Sequence, residues 1–221
     1  EAGGERAMGG TILAGLRLIR DTPLLQAMCV VMFFGVGVGT LLYNEQAAIA
    51  RASFADAAAR TAFYARIDLA INVLTIVVQV GITRWLLVRH GVAPALLIPA
   101  FAVLLGFCVL SASPLPVVVA LVQIATRAGE FALGKPARES IYTRVDREMR
   151  YKAKGFIDTV VYRGGDLTFV WLHKGMTVLG LGSNVVFGAG VLVALGFVGG
   201  ALWLVRLAPD APAPIPQDPA A

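Results

Sequence analysis

The stretch PALLIPAFAVLLGFCVLSA, Pro94–Ala112, runs for nineteen residues without a Lys, Arg, Asp or Glu. A helix needs about 20 mostly apolar residues to cross a hydrocarbon core of ~30 Å. Five further stretches have this character: Pro23–Tyr43, Leu69–Val88, Pro116–Leu133, Ile157–Leu179 and Val185–Val205. None shows the ten-residue alternation of a barrel strand. The whole chain agrees with them. It is 57% apolar and 15% charged over 221 residues, against about a quarter charged in soluble domains. The sequence therefore predicts an all-α membrane protein with six transmembrane helices. A disordered chain and a disulfide scaffold are excluded by the same composition.

Basic residues orient the spans. Arg6, Arg17, Arg20, Arg84, Arg89, Lys135, Arg138, Arg144, Arg147, Arg150, Lys152, Lys154 and Arg206 fall on one side of a six-span arrangement. Arg51, Arg60 and Arg66 fall on the other. Thirteen against three places both termini in the cytoplasm, as expected for a multi-pass protein of a bacterial inner membrane. Residues 1–22 form a cytoplasmic lead-in, 23–206 a six-helix bundle, and 207–221 a Pro-rich tail expected to be extended and disordered. The chain opens on Glu1-Ala2-Gly3-Gly4 with no signal-peptide pattern. The Ala-rich loop Ala47–Ala65 is expected to prolong its helices beyond the membrane. In Arg138–Lys154, Ile141, Val145 and Met149 recur at i, i+4 and i+8, predicting a short helix lying at the interface.

Polar residues are distributed unevenly. The third and sixth spans hold no ionisable group except Cys108, whereas the first carries Gln26, Asn44, Glu45 and Gln46, and the second Asp68, Asn72 and Gln79. The fourth carries Gln123, Arg127 and Glu130, and the fifth Asp158, Arg163 and Asp166. A charge in hydrocarbon costs about 2.5–3.5 kcal/mol, so these groups belong against protein or a watery cavity. Two polar spans followed by one apolar span, twice over, is the pattern of a 3+3 repeat. Arg127 with Glu130, and Arg163 with Asp166, have the i, i+3 spacing at which helical side chains pair. Both arginines lie roughly 10 Å from the cytoplasmic end of their spans, at 1.5 Å per residue. The pairs serve either helix packing or a transport path.

Two segments carry a family resemblance. Gly81-Ile82-Thr83-Arg84-Trp85-Leu86-Leu87-Val88-Arg89-His90-Gly91 looks like a reduced copy of the Gly/Arg-rich loop after the second helix of each major facilitator repeat. Lys135-Pro136-Ala137-Arg138-Glu139, then Arg150-Tyr151-Lys152-Ala153-Lys154-Gly155-Phe156-Ile157-Asp158 and Arg163, resembles the ATP/ADP translocase family and its bacterial relatives. The resemblance implies the C-terminal half of a twelve-helix transporter, partnered by a missing six-helix N-terminal half. It implies a small anionic solute such as a nucleotide, bound by Arg138, Lys154 and Arg163, to which the buried polar residues of the fourth span add Arg127. Glu130, Asp158 and Asp166 would hold those cations and exchange partners as a gate opens, and Arg163→Ala would abolish transport. Lys135 and Asp166 depart from the family, which has an acid and a lysine there. A transporter of a non-nucleotide solute is the alternative, followed by a six-span scaffold, sensor or intramembrane enzyme.

Other motifs add little. The basic loop 135–154 either attracts anions or anionic lipid, or follows from orientation alone. Glu45 and Asp68 bind a coupling proton, gate with Arg66, or are solvated helix ends. Gly35, Gly39, Gly196 and Gly200 are expected to allow close helix packing. No Gly-x-x-x-x-Gly-Lys-Ser/Thr occurs, so no ATP-hydrolysing motor is expected. Cys29 and Cys108 are expected to be buried packing residues. Neither an enzyme, a metal, a cofactor nor a nucleic-acid partner is predicted.

Overall fold

A computed structural model describes residues 12–143 and 147–208. The described residues are helical with no strand. Helix α1 is Ile12–Asp21, α2 Pro23–Ser53, α3 Ala57–His90, α4 Val92–Ala112 and α5 Pro116–Tyr142. Helix α6 covers residues 147–178, and α7 is Ser183–Leu207. Each boundary has a local cause. Pro23 and Pro116 occupy the first turns of α2 and α5, where a missing N–H costs nothing. Asp56 caps α3 by accepting from Ala59 N at 3.2 Å. Gly91 adopts φ 73° between α3 and α4, a conformation that lets a single residue reverse the chain.

Five helices, α2, α3, α4, α5 and α7, are long and apolar enough to cross a membrane. The expected span Ile157–Leu179 is helical as α6, but Asp158, Arg163, Asp166 and Lys174 make it markedly more polar. This architecture is consistent with a multi-pass membrane protein. The helices also outrun the expected spans. Helix α2 continues to Ser53 and α3 begins at Ala57, because the alanines between favour helix whatever the solvent.

The expected interfacial helix over Arg138–Lys154 is corrected. Residues up to Tyr142 continue α5, and those from Arg147 begin α6. Apolar positions at helical spacing do not reveal that the helix breaks at Thr143. Val145 lies outside the described residues, as do residues 1–11 and the tail from Pro209.

Short links make consecutive helices antiparallel. One end of the bundle, here the basic end, gathers the start of α2, the α3–α4 and α5–α6 turns and the end of α7. The main seams join α2 to α7, α6 and α5, α4 to α7 and α5, and α3 to α5. Exchanging α2 with α5, α3 with α6 and α4 with α7 leaves this set unchanged. Helix α1 packs on the first part of α6.

The core lies between α2, α4 and α7, around Leu25, Met28, Leu41, Phe107, Phe187 and Leu204. Aromatic rings seat on glycines there. A Cβ at Gly37 would collide with the Phe169 ring, and one at Gly196 would lie 2.6 Å from Phe34. Close packing thus runs through Gly35, Gly37, Gly196 and Gly200, whereas Gly39 faces open space. Cys29 is half-buried, but Cys108 is exposed on α4; it points away from the core, contrary to expectation.

Candidate functional site

A cavity of about 1150 Å³ opens between the helices. Its polar lining comes from α2 (Thr40, Asn44, Gln46, Arg51), α3 (Tyr64, Asp68), α5 (Gln123, Thr126, Arg127, Glu130, Arg138) and α6 (Tyr162, Asp166). Helices α4 and α7 contribute only Pro99, Val103 and Phe197. Burial of apolar surface explains the division: α4 and α7 turn their faces to the core, and their polar side chains, such as Ser111, Ser183, Asn184 and Arg206, stand near the helix ends. Glycines at 35 and 39 leave room along α2.

The structure brings Arg127, Arg138, Glu130, Asp166 and Asp68 to one cavity. It does not bring Lys154, Arg163, Asp158 or Glu45 there. Arg163 and Asp158 are exposed outside it. Lys154 donates to Glu139 at 2.7 Å and lies 5.6 Å from the Tyr142 ring centre, tying the start of α6 to the end of α5. Glu45 is buried against His173, not solvated at a helix end.

The i, i+3 pairs expected from spacing do not form among the described residues. Glu130 pairs instead with Arg138, through both oxygens, with Nη1 to Oε2 at 3.1 Å. A π-helical turn, Glu130–Gly134, is the reason. Eight residues of α-helix would turn the two side chains about 80° apart. One extra residue in a π turn absorbs that offset and puts them on one face. Gly134 lies beneath the pair, where a Cβ would sit 2.5 Å from Glu130 Oε2. Asp166 accepts from Thr40 Oγ1 at 2.8 Å, joining α6 to α2. Arg127 has no ion-pair partner among the described residues.

A second π turn, Gln79–Thr83, faces the first. Thr83 Oγ1 lies 2.8 Å from the Ala132 carbonyl and 3.1 Å from that of Val78, and Gln79 Nε2 donates to Phe131 O at 3.2 Å. The π turn leaves backbone carbonyls of α5 to be satisfied by α3. Thr83→Val keeps shape and removes the donor, so it should cost about 1–3 kcal/mol. Thermal unfolding in lipid bilayers measures this; an unchanged midpoint removes the interlock.

Two lining groups, Gln46 Oε1 and Thr126 Oγ1, are buried without a hydrogen-bond partner. Native structures rarely leave such groups without a partner. No sequence motif announces Thr40, Thr126 or His173; only the α2–α6 and α2–α5 seams give them a role. Comparison with protein-family models, curated proteins and solved structures finds no match to this chain.

Proposed function

We propose that the chain is a six-span half of a secondary transporter of major-facilitator type, moving a small polar solute with an anionic group by alternating access. The cavity carries this reading: its polar groups come from the four polar helices and hardly at all from the two apolar ones. The symmetry of the seams under exchange of the two three-helix units supports it as well, since inverted repeats bracket the binding sites of such transporters. Helix α6, the expected fifth span, would complete the six, with Asp166 facing the cavity. Both termini would be cytoplasmic, with a second six-helix half closing the cavity.

The lining carries Arg51, Arg127 and Arg138 against Asp68, Glu130 and Asp166. With Arg138 neutralised by Glu130, Arg127 and Arg51 are the cations left to meet an anionic group, and Asp68 and Asp166 the acids left to meet a donor. ATP/ADP-type exchange fits the resemblance around residues 135–163. Uptake of labelled ATP, ADP, inorganic phosphate and succinate by proteoliposomes holding the full-length protein tests the proposal. Saturable uptake of at least one is the expected result. Failure to move any of them overturns the reading and favours a non-transporting membrane protein.

A further inference from the structure

Glu45 and His173 are separated by 128 residues in sequence, yet Glu45 Oε1 lies 2.8 Å from His173 Nε2. Glu45 is only 4% exposed. Its second oxygen, Oε2, is buried with no hydrogen-bond partner. Neither side chain lines the cavity. Both lie within about two turns of the helix ends away from the basic end. We propose that Glu45 and His173 form a buried proton-binding site bridging α2 and α6.

Counting protons makes the argument. With one proton the pair has no net charge, either as carboxylic acid with imidazole or as carboxylate with imidazolium. With none, a lone carboxylate is buried, with one oxygen accepting nothing. With two, a lone imidazolium is left with its side chain only 14% exposed. Uncompensated buried charge is strongly disfavoured, so the closed pair holds a single proton. A second can enter, or the last one leave, when water reaches the site from the nearby end.

Among the described residues, no other side chain is hydrogen-bonded or ion-paired to either group. Helix α7 carries no titratable group but Arg206, at its far end. On α5 the nearest candidates, Arg127 and Glu130, line the cavity. On α6, Asp166 is bonded to Thr40, and the Lys174 ammonium lies 5.2 Å from the Trp171 ring centre. On α3, Asp68 and Tyr64 line the cavity, Arg60 donates to the Phe54 and Ala55 carbonyls, and Arg66 is exposed. On α2 itself, Tyr43 and Arg51 do the same.

The pair shares the α2–α6 seam with the Thr40–Asp166 bond, which stands at the cavity wall. A change in its proton count therefore bears on the same seam that shapes the cavity. Use of this proton to couple solute movement rests on the transporter reading; the site itself rests on its own geometry.

Solid-state NMR on the full-length protein in lipid bilayers tests it, with labelled imidazole nitrogens and Glu carboxyl carbons. The described sequence holds two histidines, and exposed His90, beside the Trp85 ring at 4.9 Å, is the internal reference. As the pH is varied, His173 and Glu45 are expected to respond together in one shared transition. Glu45→Gln should remove that transition from His173 and leave His90 unchanged. Where Glu45→Gln fails to fold, His173→Gln read at the Glu45 carboxyl asks the same question. Separate transitions, none at all, or an unaltered His173 in Glu45→Gln would make the contact a static hydrogen bond and overturn the proposal. A shared transition in a protein that moves no solute would sink the transporter reading and leave the proton site standing.

Discussion

Arg138→Ala should lower the unfolding free energy by about 2–3 kcal/mol. Removing one partner of a buried ion pair typically costs 3–5 kcal/mol, roughly, and of an exposed pair under about 1. This pair lies between those limits, with side-chain exposures of 11% for Arg138 and 36% for Glu130. The loss strands a carboxylate inside the π turn Glu130–Gly134. Two controls follow from the geometry. Glu130→Gln combined with Arg138→Met should recover most of the loss, because no unpaired charge remains. Gly134→Ala should reproduce part of it, because the added Cβ displaces Glu130 Oε2. Thermal unfolding in detergent or lipid reads all three. Equal midpoints for Arg138→Ala and the parent would show that the pair does not hold α5 in its π-turned form.

Arg127→Ala should cut solute uptake by about 10- to 100-fold, the worth of a charged hydrogen bond of roughly 1.5–3 kcal/mol. Its unfolding midpoint should stay near the parent's, since Arg127 is exposed and forms no ion pair among the described residues. Arg163→Ala is the discriminating companion. Spacing and resemblance make Arg163 central to transport, whereas the cavity lining leaves it out. Geometry expects near-parental uptake from Arg163→Ala beside a large loss from Arg127→Ala. The opposite pattern would return the binding role to α6 and remove Arg127 from it.

These two arginines show how far sequence reading reached. Each sits three residues before an acid in a polar span, and spacing treats them alike. The tertiary structure separates them: the π turn at Glu130 turns Glu130 toward Arg138 and leaves Arg127 at the cavity, while Arg163, which follows its own π turn at Ile157–Val161, stands exposed outside it. A π turn has no compositional mark in Glu130-Phe131-Ala132-Leu133-Gly134, so i, i+3 reasoning carried straight through it. Glu45 and His173 were equally opaque. Each looks like a polar residue near a helix end, and neither reveals a partner 128 residues away.

Composition and polarity pattern by themselves determined the helical architecture, five of its long apolar segments and the division into polar and apolar helices. Those properties follow from the cost of placing backbone and charge in hydrocarbon, which is paid residue by residue along the chain. The tertiary structure alone decided which polar groups meet: Glu130 with Arg138, Asp166 with Thr40, Glu45 with His173. Those pairings depend on the register between helices, and register is set by aromatic rings seated on glycines and by one-residue π insertions. Each of these turns a face through tens of degrees while leaving hydropathy unchanged.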